Sequence, residues 1–519
     1  MNPRERFLAT VGVMLLLFGY FLDRAWRLPE HEEILVGKCR TPVRMMGTLR
    51  EPSRANVVIL HGLGANARVM DAIAQALAGA DMGVYVLDLP GHGNNSEPFS
   101  LSRTESCAAE AIQALESRGE IQFDQTVLLG HSMGGALAIR MADYFPTAAT
   151  VAISPAPMYA EAGMPPGTIL FSPPRKMSAN LLIFVAQFDF PYSEDSARRL
   201  VRAAGGERYK EPEDFVQRRA VRLVDEAGAT HTSLIHSTSV WNLILNRWLE
   251  PFLPMLSKGY LLNSWFWGGV IGIAGLICLF PIAASVASHI LGTSETEARE
   301  EKAAGGALLG WTVAGLFAVS ALSFALPLRF LRMYNGDYLV SCLLVAGIVL
   351  CALLRSAQNK SGGMKPPLSW RAITAGAVLG MATMLAVGAW MNWTLTDVWL
   401  NAARWMRFPI VLLACLPYAL AEEWALGAPD VGNWLAKIRR YMLFGMLRLL
   451  IWLCILFALY VYASQQILLA VLIFYMGIFS VFVRLGADAI RRRTSSPAGA
   501  VVFTAILMAW FIAAVFPLT

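Results

Sequence analysis

Residues 126–135 read TVLLGHSMGG, a run of β-forming residues that ends at a glycine-flanked serine and continues into the helix-forming ALAIRMA. The pattern is G-x-S-x-G around Ser132, and it points to nucleophilic acyl chemistry. A strand that turns sharply into a helix holds its turn residue in a strained conformation, and only small neighbours such as Gly130 and Gly134 fit beside it. That geometry would lift the Ser132 hydroxyl above a sheet and aim the backbone N–H of Met133 at a developing oxyanion. A pentapeptide alone is also compatible with a buried serine in a tight turn, so the surrounding elements have to decide.

Those elements are short apolar runs separated by helical segments. VVILHGLG (57–64), VYVLDLPGHG (84–93), TVLLGHSMGG (126–135), ATVAISP (149–155), LLIFVAQFD (181–189) and AVRLVDEAG (220–228) have the appearance of buried parallel strands. The expected fold class is α/β, a mostly parallel sheet with helices on both faces, followed by an all-α polytopic membrane region.

With the HG of His61 and Gly62 after one strand, the DLPGHGNNS run from Asp88 after the next, and the GHSMGG elbow after a third, residues 30 to about 255 resemble the α/β-hydrolase family. That resemblance implies a serine, acid, histidine order along the chain. Asp189, at the end of a later strand, takes the place of the acid, with Asp195 as the fallback. In AGATHTSLIHS (227–237), His231 stands just past the last strand and takes the place of the base; His236, further into the next helical segment, is expected to face solvent or packing. The implied oxyanion hole consists of the backbone amides of Leu63 and Met133. His61 and Gly62 would shape that loop, while Asp88 and His92 read as structural. No cofactor and no metal are expected.

Composition places this unit beside a membrane. The chain has 519 residues, is 56% hydrophobic and only 15% charged, well below the roughly 25% of soluble domains, and its mean hydropathy is +0.50. Residues 1–29 read as an uncleaved N-terminal signal-anchor helix behind Arg4 and Arg6, residues 30–258 as the hydrolase domain, and residues 259–519 as about eight membrane helices, about nine spans in all. The expected spans are 262–290, 303–327, 338–354, 372–391, 408–421, 441–463, 466–483 and 498–517. With the N-terminus in the cytoplasm, the basic loops around Arg355–Arg371, Lys437–Arg448 and Arg484–Arg493 fall inside, and the hydrolase domain lies on the exoplasmic side. The acidic loop 293–302 dissents, weakly, because acidic residues contribute little to that rule. The net charge of +6 reads as topology, with no nucleic-acid partner.

The seven cysteines lack metal-ligand spacing and read as packing residues, with a Cys39–Cys107 disulfide as the lesser alternative. Gly268 with Gly272 and Gly376 with Gly380 suggest close helix packing. Glu422 and Glu423 read as a solvated helix end. The interval between Ser154 and Leu181 is short and proline-rich, room for a loop but hardly for a helical cap. An uncapped nucleophile beside a bilayer suggests a serine ester hydrolase, lipase- or esterase-like, acting on a lipid or other amphiphilic ester. The alternatives are a transporter-like membrane protein with an accessory hydrolase domain, and a hydrolase-like binding module without turnover. Which ester is the substrate, whether acyl groups go to water or another acceptor, and the oligomeric state are not encoded legibly.

Overall fold

The computed structural model describes residues 3–25, 27–28, 30, 33–47, 55–161, 163–164, 167–251, 253, 264–293, 329–360, 369–427, 434–461, 467–494 and 496–519, with isolated positions at 313, 315–316, 319 and 323. They form two compact units. One comprises Gly19–Val270, Met391–Asp397 and Pro517–Thr519; the other comprises Met1–Phe18, Ile271–Trp390 and Val398–Phe516.

The first unit is built on eight strands: β1 (Ile34–Val36), β2 (Thr41–Gly47), β3 (Asn56–Leu60), β4 (Gly83–Leu87), β5 (Thr126–His131), β6 (Ala149–Ile153), β7 (Leu181–Phe188) and β8 (Val221–Thr230). Their order is β1-β2-β4-β3-β5-β6-β7-β8. Pairing from β4 through β3 to β8 is parallel, and β1 and β2 complete the edge in antiparallel register. The six expected strands are the parallel ones. The side chains of β3 to β6 and most of β7 are buried on both faces, which is why they read as continuous apolar runs, while the edge strand β8 is largely half-buried or exposed. Val57, Ile59, Val84, Val86, Val127, Leu129, Val151 and Ile153 pack on one face with Ile73, Leu77, Trp241 and Trp248 from the flanking helices.

The pair β1–β2 was not legible in the sequence because β2 carries a charge at its centre. Arg44 is buried in this strand, and its guanidinium reaches Asp71 at 2.6 Å and Glu30 at 2.6 Å. Asp71 opens helix Asp71–Ala78, so one buried ion pair ties strand to helix. Cys39, in the turn before β2, forms a disulfide with Cys107 of helix Leu101–Ser117, and the two are therefore not simple packing residues. Between β6 and β7, the described residues form neither helix nor strand, so this interval carries no helical cap.

The second unit is helical. Seven helices among the described residues are long and apolar enough to cross a membrane: Pro3–Arg24, Phe266–Ile290, Gly336–Arg355, Trp370–Thr394, Ala402–Leu426, Trp434–Phe457 and Pro497–Val515. Helix Ile467–Thr494 covers the expected span 466–483. The expected span 303–327, apart from isolated positions, and nearly all of the acidic loop 293–302 lie outside the described residues. Gly376 is packed so tightly that a Cβ there would stand 2.1 Å from the Gly499 carbonyl oxygen, the close approach its spacing suggested.

Glu422 and Glu423 are not a solvated helix end. They are 5% and 1% exposed. Glu422 pairs with Arg448 at 2.8 Å; Glu423 pairs with Arg491 at 2.6 Å and, closely, with Arg484. Arg484 and Arg440 also hold Asp488, at 2.6 and 2.8 Å. The counter-charges come from residues 26 to 68 positions further along the chain, which local reading of the LPYALAEEW segment could not supply.

Candidate active site

The turn after β5 explains its own sequence. Ser132 has φ 55° and ψ −118° and sits immediately before helix Met133–Arg140. A Cβ on Gly130 would come within 2.0 Å of the Gly134 carbonyl oxygen, and one on Gly134 within 2.1 Å of the Leu60 carbonyl oxygen. Only glycines fit, because strand, turn and helix are packed backbone against backbone. Ser132 N–H donates to Ile153 O at 3.0 Å, and the Ser132 carbonyl accepts from Ala156 N at 2.9 Å. The nucleophile candidate is thus fixed from β6 while its side chain stays half-buried. The amide of Met133 belongs to the first turn of the helix, where N–H groups lack intrahelical acceptors.

The loop after β3 passes directly against this turn: a Cβ on Gly62 would stand 3.1 Å from Ser132 Cβ. Leu63 follows. His61 fixes the start of that loop by donating from Nδ1 to Gly62 O at 2.8 Å and accepting at Nε2 from Leu89 N at 3.0 Å. Those two bonds require one neutral tautomer, and burial brings the imidazole down to about 4. His92 repeats the arrangement, bonding Pro90 O through Nδ1 at 2.8 Å and accepting from Gly64 N at Nε2 at 3.1 Å. Asp88 accepts from Ala67 N at 2.7 Å and Asn94 N at 2.9 Å. Both residues therefore brace loops.

Asp189 and His231 are brought together. His231 Nδ1 lies 2.6 Å from Asp189 Oδ1, and both side chains are almost fully buried. Asp189 Oδ1 also accepts from Phe190 N at 2.7 Å; Oδ2 accepts from Ser154 Oγ at 2.6 Å and from Ala186 N at 3.3 Å. Burial pushes this carboxyl up, but the His231 ring, the Ser154 hydroxyl and the Phe190 amide outweigh it and hold Asp189 below the usual carboxylate range. On the far side, His131 Nε2 reaches the His231 carbonyl oxygen at 3.0 Å, so the residue beside Ser132 grips the backbone of the imidazole-bearing residue. Burial, reinforced by the neighbouring His231, brings His131 down to about 3, which keeps it neutral in this contact.

Asp195 is exposed on helix Ser193–Ala203, away from this constellation. His236 packs its ring 4.3 Å from that of Phe266. Ser154 and His131 were not singled out for these contacts in the sequence; position at the ends of adjacent parallel strands is the signal that could have found them. Among the described residues, no group of three or more His, Cys, Asp or Glu could hold a metal.

A strained serine elbow at the end of β5, with the acid after β7 and the histidine after β8, is accompanied by a family-level match. Residues 57–269 match the model of the "Alpha/beta hydrolase family". This region has the α/β-hydrolase fold. The chain is 34% identical over 106 residues to the monoglyceride lipase of Mus musculus, covering 20% of this chain and 35% of that protein. It is 36% identical over 104 residues to the pimeloyl-[acyl-carrier protein] methyl ester esterase of Salmonella newport, covering 19% and 37%. It is 31% identical over 96 residues to 1-acylglycerol-3-phosphate O-acyltransferase ABHD5 of Rattus norvegicus, covering 18% and 27%. The chain thus aligns with no more than about a third of the length of these curated relatives. With esterase- and lipase-like relatives, the α/β-hydrolase region supports a hydrolase.

Proposed function

We propose that the protein is a membrane-anchored serine ester hydrolase, with Ser132 as nucleophile, His231 as base and Asp189 as the orienting acid. The observation that carries this reading is the Asp189–His231 pair, at 2.6 Å, in a site whose other carboxylate contacts are all satisfied. Asp189 holds Nδ1 of His231 protonated, which leaves Nε2 to take the Ser132 proton as the oxygen attacks a carbonyl carbon. The tetrahedral oxyanion is received by the amides of Leu63 and Met133. The alcohol departs with the proton from His231, and water, activated by the same imidazole, releases the acid. Each oxyanion donor of this kind contributes about 100 to 1,000-fold to the rate.

The substrate in this reading is an amphiphilic acyl ester. Three features support it. The interval 154–180 carries no cap helix among its described residues. Phe188 and Phe190 are exposed at the end of β7, and the Phe190 ring lies 4.3 Å from that of His231. Apolar helices of membrane-spanning length occur in the same chain. The exoplasmic placement of the hydrolase domain is supported by the basic loops and by the Cys39–Cys107 disulfide, a bond favoured in oxidising compartments. The acyltransferase relative favours a second reading, in which an alcohol rather than water accepts the acyl group from Ser132.

Purified full-length protein, assayed in detergent and in bilayers, should cleave long-chain monoacyl esters with a higher kcat/KM than p-nitrophenyl acetate. Turnover confined to short soluble esters would overturn the substrate assignment. Product that appears only when an alcohol acceptor is added would replace hydrolysis by transfer.

A further inference from the structure

Beyond the His61–Leu89 bond at its start, the loop that carries Leu63 is fastened at three points, two of them from the loop after β4. His92 accepts from Gly64 N and Asp88 accepts from Ala67 N, both from the loop after β4. The third anchor is the Asn66 side chain, 7% exposed, which turns to a segment some 330 residues away. Its Nδ2 donates to Thr396 Oγ1 at 3.0 Å and to Asp397 O at 2.9 Å, and its Oδ1 accepts from Asp397 N at 3.3 Å. Nearby, Arg68 Nε donates to Asp397 Oδ1 at 2.9 Å and Arg68 Nη1 to Trp393 O at 3.4 Å. Arg27 reaches Thr394 O at 3.4 Å.

Residues 391–397 belong to the same compact unit as the sheet, although in sequence they join two long apolar helices, Trp370–Thr394 and Ala402–Leu426. The segment meets the loop through both faces of one amide side chain, a contact that fixes orientation as well as distance. Asn66 is three residues from Leu63, and between them the chain is tightened by Ala65 N donating to Gly62 O at 3.2 Å. Gly62 already touches the elbow, so a small tilt of this loop moves the Leu63 amide relative to Ser132. Oxyanion donors work only when held close to the position the charged oxygen will occupy, and that precision comes from supporting contacts.

We infer that Asn66 is a positioning residue for the oxyanion loop, and that Thr396 and Asp397 are its partners: the segment between the two helices is a working part of the hydrolase site. This inference rests on the serine-hydrolase reading for its kinetic consequence but not for its structural one. A purely structural staple would change the amount of folded enzyme. A positioning contact changes the rate at each intact site.

The test uses the full-length protein in nanodiscs, with Asn66→Ala, Thr396→Val and Thr396→Ser. Sites are counted with a fluorophosphonate, kcat and KM are measured per titrated site on a p-nitrophenyl acyl ester, and amide hydrogen exchange is followed across residues 61–67. The expected result is a fall of about tenfold in kcat for Asn66→Ala with KM within about twofold, a smaller fall for Thr396→Val, recovery in Thr396→Ser, and faster exchange at 61–67 in the two impaired variants. Unchanged kcat per site with unchanged exchange would overturn the inference, as would a loss that appears only in the titrated fraction or only in KM. If the native protein neither labels nor turns over, the hydrolase reading fails by itself. Exchange at 61–67 then decides alone: faster exchange in Asn66→Ala upholds the contact as the loop's support, and unchanged exchange removes it.

Discussion

Two buried carboxylate clusters, one in each compact unit, find opposite kinds of partner. In the sheet unit the buried carboxylate of Asp189 is met by one imidazole, one hydroxyl and backbone amides, and the nearby His131 is neutral. In the helical unit Glu422, Glu423 and Asp488 are met by four guanidiniums, those of Arg440, Arg448, Arg484 and Arg491. The first arrangement holds one imidazole by a single ring nitrogen. The second pairs opposite charges and joins segments remote in sequence. Buried ionisable groups are expensive in either setting, so the choice of partner separates the clusters: in the proposed function Asp189 orients a base, whereas the arginine network joins helices.

Variants can break that contrast in either direction. Asp189→Asn should lower kcat by about 10,000-fold, because an amide favours the wrong imidazole tautomer, while melting temperature changes little. Steady-state turnover and thermal unfolding of the same preparation check both halves. Arg484→Ala should do the reverse. Removing one member of a buried ion network costs about 3–5 kcal/mol, so unfolding should come at markedly lower temperature while kcat per titrated site stays at the native value. A fall in kcat per site would dissolve the distinction.

Acidification offers a milder probe of the sheet unit. His61 titrates near 4 in the folded protein because it is buried, whereas an unfolded histidine titrates near 6.5. As pH falls below about 6.5 the unfolded chain takes up the proton first, so stability present at neutral pH is lost toward pH 4, by about 3 kcal/mol from this residue. Thermal melts between pH 7 and 4.5 should show this slope in the native chain and a shallower one in His61→Gln. The smallest effect is expected for Ser154→Ala, which removes one of four hydrogen bonds to Asp189: a fall of about tenfold in kcat, with KM unchanged.

The sequence was most readable where local rules decide. The central parallel strands announced themselves as apolar runs because both faces are covered, and the elbow because two glycines are demanded by backbone contact. Asp189 and His231 stand where order along the chain put them, and they meet. What escaped depended on distant partners. β2, with Arg44 at its centre, was not among the expected strands, and Asp71 and Glu30 explain the charge inside it. Glu422 and Glu423 looked solvated because their arginines lie on later helices. Asn66 gave no signal at all, since its partners Thr396 and Asp397 lie some 330 residues further along the chain. The Cys39–Cys107 disulfide was discounted because spacing says little about which cysteines face each other.

The central claim is that Ser132 is a nucleophile activated by His231. Its most direct test is the rate of labelling by a fluorophosphonate probe in the purified full-length protein, compared with Ser132→Ala and His231→Ala. The account predicts one label per native chain, none in Ser132→Ala, and labelling slowed by about 1,000-fold or more in His231→Ala. Equal labelling of all three proteins would contradict it.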